Sequence, residues 1–338
     1  SLPNGESRYL HQVKTSTTTN LTPQEIHDIG LSEVKRIEGQ MLVIAKKMGF
    51  SDLKRFIASM DKNPNLRPKS RQEMIDLYTK YTDQMYLKLP TLFGRLPKAA
   101  IKIMQVPEYS EKEASGASYN AGSMDGSRPG HVMVNTGDFA NRMTLSIEST
   151  ALHEGVPGHH MQISIAQELQ DLPPFRQQGG YVAFEEGWAL YSEKLGEELG
   201  FYQDPYSFYG HLQDEMLRAI RLVVDTGLHY KKWNRQQVVD FFHAHSGIED
   251  VEVQSETDRY IVWPGQALGY KMGELKILEL KAYAKKELGE QFDIRAFHDE
   301  VLGYGALPLD VLEQQIHAWV DNLKAQILKN KKAIATLN

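Results

Sequence analysis

Apolar residues return every three or four positions through most of this chain, and several of these stretches open on a helix-start signal. Thr22-Pro23-Gln24-Glu25 places a Thr cap, a Pro in the first turn and a Glu that closes a capping box. Ile26, Ile29, Leu31, Val34, Ile37, Met41 and Ile44 follow at helical spacing. A second helix is expected from Ser51 to Met60, and a third from the box Ser70-Arg71-Gln72-Glu73 towards Leu87. Residues 1–22 are polar and end near the run Thr15-Ser16-Thr17-Thr18-Thr19, so they are read as an extended lead-in.

The middle differs. Ala99 to Val106 and His131 to Thr136 read as short strands around a stretch, 114–130, rich in Gly, Ser, Ala and Asn. That stretch lacks the Lys-Ser/Thr of a phosphate loop and the spacing of a dinucleotide fingerprint. It is read as a loop delivering a strand to a cleft. Helical periodicity resumes at Thr144, with segments expected at 144–156, 159–170, 180–199, 205–231, 235–245, 256–287, 292–301 and 308–329. The fold class is therefore mainly α with a small β-sheet beside a cleft, one domain over 23–338. The basic end Lys324–Lys332 complements a helix dipole.

Composition narrows the function. With 38 Lys+Arg against 44 Asp+Glu, the net charge is −6, which argues against a nucleic-acid partner. The absence of cysteine excludes disulfides, thiolate metal sites and thiol nucleophiles. No apolar run approaches the roughly 18 residues needed to cross a bilayer. The chain opens on Ser1 without a leader pattern, so a longer precursor is expected.

The chemistry concentrates in Ala151-Leu152-His153-Glu154-Gly155-Val156-Pro157-Gly158-His159-His160-Met161-Gln162. Zincins bind zinc with two His one helical turn apart and use the Glu beside the first as a base. Here the fourth position after His153 is Pro157, which cannot ligate. His160, at i+7, returns to the same helix face but lies about 10 Å along, and His159, at i+6, is closer but roughly 120° off that face. Either choice needs a break, and Pro157-Gly158 supplies one. We expect a helix ending near Val156, a two-residue bulge, and a second stretch that swings His159 back beside His153. His159 is preferred to His160. In glutamate-type zincins a Glu from the following helix completes the site. Glu186 is the choice for the third ligand, with small Gly187 easing its approach, and Glu185 is the alternative. Glu193 is placed to hydrogen-bond a ligand His. Such a set would leave one position for a water activated by Glu154, and the developing oxyanion would need a donor from among Tyr260, Tyr270, His229 and Arg259.

These motifs resemble the bacterial domain-of-unknown-function family 885. They are His-Glu-x-x-Pro-Gly-His-x-x-Gln at 153–162, Glu-Gly-Trp-Ala-Leu-Tyr at 186–191, Asp-Thr-Gly-Leu-His at 225–229, and Arg-Tyr with Pro-Gly-Gln-Ala-Leu-Gly-Tyr at 259–270. Asp125 to Gly130 and Val134-Asn135-Thr136 fit as well. Members are usually much longer, so the resemblance implies that this is the C-terminal part of a larger protein whose N-terminal half packs on the cleft. Many members are predicted envelope lipoproteins, which implies a place outside the cytoplasm, in the periplasm or on a lipid anchor. The family is in turn similar to helical zinc peptidases: angiotensin-converting enzyme, carboxypeptidase Taq and thimet oligopeptidase. The resemblance implies a zincin-like metallopeptidase with Zn²⁺ on His153, His159 and Glu186, Glu154 as base, and Tyr260 of the Arg259-Tyr260 pair steadying the oxyanion.

The substrate is expected to be a peptide. Arg259, Tyr270, Arg128 and Asn135 are the candidates to bind it, with Arg128 or Arg259 on a C-terminal carboxylate, the strand at 131–136 pairing with an extended chain, and His229 assisting catalysis. Asp225 and His229, four apart, read equally as a structural pair or as groups reaching the cleft. Trp188, Trp233 and Trp263 read as core or cleft wall. A hydrolase of non-peptide amides or esters, and a non-catalytic envelope binding protein, are the competing readings.

Overall fold

A computed structural model describes residues 3–337. Helices are α1 (Gly5–Thr17), α2 (Pro23–Lys47), α3 (Leu53–Asp61), α4 (Arg71–Tyr86) and α5 (Leu89–Leu92) before the sheet. After it come α6 (Ile147–Glu154), α7 (His159–Gln167), α8 (Pro174–Gln178), α9 (Val182–Glu198) and α10 (Pro205–His229). The chain closes with α11 (Arg235–His245), α12 (Asp250–Val262), α13 (Leu268–Leu288), α14 (Ile294–Leu302) and α15 (Leu309–Leu337). Strands β1 (Ile101–Gln105), β2 (Ala117–Asn120) and β3 (Gly130–Val134) form one sheet in the order β1-β3-β2, with β1 parallel and β2 antiparallel to β3. The fold is mainly helical with a small sheet. Among the described residues no helix is long and apolar enough to cross a membrane.

Two long helix pairs, α2 with α10 and α9 with α13, make up the frame. The first closes a core of Ile37, Met41, Met216, Ile220 and Val223. The second closes another, around Phe184, Trp188, Tyr191 and Ile277. Local rules set the starts of α2, α3 and α4. The Thr22–Glu25 capping box forms with both reciprocal bonds, and Asp52 and Ser70 cap the next two helices.

Three expectations need correction. The lead-in is not extended: Gly5–Thr17 is helical. Tyr9, Val13 and Thr17 form a stripe of period four, and Tyr9 and Val13 are buried against Ile26, Leu222, Leu268 and Met272. Burying such side chains stabilises by about 1.5–3 kcal/mol each, enough to override a polar, threonine-rich sequence. The single helix expected over 256–287 is two. Pro264 lacks an N–H, Gly265 takes φ +81°, and α12 ends at Val262. Finally, β3 is the central strand, paired on both sides, so the strand at 131–136 cannot add an incoming peptide. The outer edges belong to β1 and β2, and β2 lies inside the stretch read as loop.

Candidate metal centre

The break in the histidine motif is longer than expected. Helix α6 stops at Glu154, residues 155–158 leave the helix, and α7 starts at His159. Gly158 folds back onto the end of α6. A Cβ there would lie 1.9 Å from the His153 carbonyl oxygen and 2.5 Å from that of Leu152, so only glycine fits. The Gly158 N–H donates to the Leu152 carbonyl (3.0 Å), and the indole N–H of Trp188 on α9 donates to the Pro157 carbonyl (2.8 Å). Trp188 thus belongs to the core and pins the break.

The fold-back sets the His153 and His159 rings edge to face, centroids 4.8 Å apart. Glu186, in the first turns of α9, completes the group. Its Oε2 is 3.5 Å from His153 Nε2 and 3.4 Å from His159 Nε2, and all three donor atoms lie within 4.8 Å of one another. Tetrahedral bonds of about 2.0–2.1 Å place neighbouring ligand atoms about 3.4 Å apart. Two of the three edges therefore already have the length a bound zinc would need. Gly187 does not serve the approach of Glu186. It lets α9 meet α13: a Cβ on it would lie 2.4 Å from the Gly273 Cα.

The alternatives fall away on geometry. His160 turns to the sheet, its Nδ1 3.0 Å from the Tyr119 hydroxyl on β2. Glu185 packs over Gly180 and lies outside the cluster. Glu193, two turns on from Glu186 and fully buried, places Oε1 2.7 Å from His153 Nδ1. That bond fixes the ring and leaves Nε2 directed at the cluster.

The electrostatics suit a bound cation. Burial opposes ionisation of Glu186, but His159 and His153 outweigh it and hold its carboxyl well below the usual range. Burial also opposes protonation of His153, yet Glu186 and Glu193 push its pKa up to about 10. For Glu193 burial is again overcome, here by Arg218 and His153, and the pKa falls to about 2.

The other expected site residues lie elsewhere. Tyr260 is fully buried, donates to Glu256 and accepts from Arg221 Nε (3.1 Å), so its hydroxyl has nothing left to offer an oxyanion. His229 Nε2 bonds the Tyr260 carbonyl (2.8 Å), and its ring packs on Tyr9. These contacts tie α10 to α12 and to α1. Asp225 does not hydrogen-bond His229. It accepts from the Tyr9 hydroxyl (2.7 Å) and the Gly265 N–H (3.0 Å), tying α1 and the 263–267 turn to α10.

Asn135 is fully buried, and its side chain is spent on the Glu111 and Ala114 carbonyls and the Gly137 N–H, so it holds a loop instead of a substrate. Arg128 is exposed and donates to the Ala121 carbonyl. Arg259 pairs with Glu256 (3.1 Å) and donates to Gln266 and to the Tyr270 hydroxyl (3.3 Å). Trp233 packs edge-on to His27, while Trp263 is 60% exposed and so is not part of the core. Sequence reasoning missed Arg218. On α10 it reaches Glu193 at 3.7 Å, and nothing in the local pattern marks it.

These features define a mainly helical protein with a His-His-Glu cluster built across a helix break. The chain belongs to the bacterial family of unknown function DUF885, whose profile matches residues 1–316. It is similar to a solved structure from Colwellia psychrerythraea described as a candidate lipoprotein. The identity is 38% and the TM-score 0.92, over 95% of this chain and 56% of that one. It is also similar to a candidate lipoprotein of unknown function from Shewanella oneidensis, at 20% identity and TM-score 0.78, over 92% of this chain and 59% of that one. The second likeness speaks to fold alone. The chain spans a little over half the length of both. No curated protein matches it.

Proposed function

We propose that this chain carries the catalytic centre of a zinc-dependent metallopeptidase with a zincin-like helical architecture. The observation that supports this best is the convergence of His153, His159 and Glu186 at near-tetrahedral spacing, across a break that only this backbone path makes possible. Two imidazoles and a carboxylate suit zinc, which would supply Lewis acidity and lower the pKa of a bound water to about 7.

Glu154 follows His153 at the end of α6 and is half-buried. Its carboxylate has no hydrogen bond or ion pair among the described residues. It is free to take a proton from water and return it to a leaving amine. Glu193 keeps His153 in the tautomer that presents Nε2. An extended peptide would pair with the outer edge of β2, whose Tyr119 touches His160 beside His159. The likeness to the candidate lipoprotein from Colwellia psychrerythraea supports an extracytoplasmic place for the full-length protein, and we infer that its additional chain borders the cleft.

The test joins metal and reaction. The purified protein should hold one zinc by elemental analysis and lose it on His153→Ala. Glu154→Gln should keep the zinc and lose peptide hydrolysis by about 100-fold or more. Full hydrolysis in Glu154→Gln would refute the mechanism. Absence of metal, with unchanged stability in chelator, would favour a non-catalytic binding protein. Cleavage of ester or amide substrates in preference to peptides would move the activity to another hydrolase class.

A further inference from the structure

Arg218 on α10 is the least satisfied buried cation near the centre. Its side chain is 15% exposed and lies beside Glu193, the carboxylate that holds His153. Of the five N–H donors of the guanidinium, one is used: Nη1 donates to the Asp214 main-chain carbonyl at 3.0 Å. Glu193 Oε1 and Asp214 Oδ1 stand at 3.7 and 3.9 Å, beyond hydrogen-bond length. Nε is buried without an acceptor among the described residues.

The neighbouring arginines are different. Arg221 is spent on Glu256 (2.9 and 3.2 Å) and the Tyr260 hydroxyl, and Arg259 on Glu256, Gln266 and Tyr270. Asp214 directs its oxygens to Ser146 and Ser149, and Glu193 Oε1 is directed to His153. The Tyr270 ring lies 4.6 Å from the guanidinium of Arg221, three residues on from Arg218 along α10. Its hydroxyl accepts from Arg259, and its own proton has no acceptor among the described residues. The unspent guanidinium of Arg218 thus lies beside the carboxylate that holds His153, and the Tyr270 hydroxyl belongs to the arginine group next to it on α10. Leaving buried donors unpaired is costly, and a planar guanidinium with free N–H groups matches a carboxylate bidentately.

We infer that Arg218, assisted by Tyr270, anchors a carboxylate of the substrate. This deepens the peptidase reading and rests on it for the ligand being a peptide. The carboxylate is either a peptide C-terminus or a Glu or Asp side chain. Arg218 is then a specificity-determining residue, and Arg128 and Arg259 are not the anchors.

The test uses binding to the chelator-treated full chain, so that hydrolysis plays no part. Three probes are titrated calorimetrically: N-acetyl-trialanine as the free acid, its C-terminal amide, and the same amide with Glu replacing one alanine. The wild-type protein should prefer a carboxylate-bearing probe over the neutral amide by about tenfold or more, the scale of one charged hydrogen-bonded pair. Preference for the free acid alone identifies a C-terminus, and preference for the Glu-bearing amide identifies a side chain. Arg218→Met should bring the ratio to about one, with the neutral amide bound as before. Should Arg218→Met melt early, Arg218→Lys must still reduce the ratio several-fold, because an ammonium cannot make the bidentate pair.

No preference in the wild type, or a preference that survives both substitutions, overturns the anchor. A protein that holds zinc and cleaves peptides without that preference loses the anchor alone. A protein without zinc loses the peptidase reading whatever the preference.

Discussion

Lys271 is the most exacting structural commitment in the frame. It sits on α13 with no exposed surface, and its ammonium donates to Glu215 Oε1 and Glu274 Oε2, both at 2.6 Å, with Glu33 Oε2 at 3.2 Å. Arg36 on α2 pairs with Glu33 and Glu215. Two cations and three acids therefore join α2, α10 and α13. Burial opposes the charge on Lys271, but Glu274, Glu215 and Glu33 hold its pKa well above the usual range.

Lys271→Met keeps the stem volume and removes the charge. It leaves three carboxylates facing one guanidinium, and breaking a buried pair in this way costs about 3–5 kcal/mol. For a chain of this length, with an unfolding entropy of about 2 cal/mol/K per residue, that is a fall in Tm of about 5 °C. Urea unfolding at pH 7 measures the free energy directly. Lys271→Met/Glu274→Gln should regain a substantial part of the loss, since Glu274 is the acid that burial already pushes towards protonation. The penalty should shrink as pH falls below about 4.5, because the wild type then loses the stabilisation of Glu33 and Glu215, whose carboxyls Lys271 and Arg36 hold below the usual range. A single variant within about 1 kcal/mol of wild type, or a double variant no better than the single, would refute the reasoning.

The remaining predictions concern residues reassigned from chemistry to structure. Tyr260→Phe should cost about 1–2 kcal/mol in stability, because Glu256 and Arg221 each lose a partner, and should leave kcat for peptide cleavage within a few-fold. A loss of about 100-fold in kcat at unchanged stability would restore it as the oxyanion donor. Burial pushes Asp225 up to about 6, against the charge of nearby His229 and the bonds from Tyr9 and Gly265. Its folded pKa thus lies above the unfolded value, so the native state keeps a proton longer and this group's contribution to stability declines as pH rises from about 4 to about 6. Asp225→Asn lacks that titration, so its stability relative to wild type should rise across the same window in urea unfolding. A relative stability that falls there would contradict the assignment.

Helices whose own residues carry both cap and stripe were legible in the sequence. The segment from Pro23 to Lys47 is the clearest, because Thr22, Glu25 and the Ile26–Ile44 stripe all act within one element. The helix at Gly5–Thr17 was not, because its stability comes from Leu222, Leu268 and Met272, which are distant in sequence. Nor was β2: Ala117–Asn120 has few strand-forming residues and takes its register from β3. The convergence of His153, His159 and Glu186 could be read because metal-binding chemistry would restrict residue type and the Pro-Gly pair advertises a break. The partners of Tyr260, His229 and Asn135 could not be read, because a hydroxyl, an imidazole or an amide is equally suited to buried structural bonds and nothing local names the distant groups that accept or donate them.

His159 lies six positions after His153, and a continuous helix would point the second ring away. Restarting the helix at His159 solves the direction but introduces a four-residue segment that could drift. The surrounding packing prevents that. Trp188 bonds the Pro157 carbonyl from α9, the helix that also supplies Glu186 and Glu193. That helix is locked to α13 at the glycine contact between 187 and 273, where any side chain would force the pair apart. The three donor atoms are therefore referred to one rigid body, α9, despite coming from three helices, two of them joined by a break. This gives a physical reason for the conjunction of Glu186, Gly187 and Trp188 within three positions. One residue supplies the carboxylate of the cluster, the next seats the helix that carries it, and the third fixes the backbone that turns the histidines together.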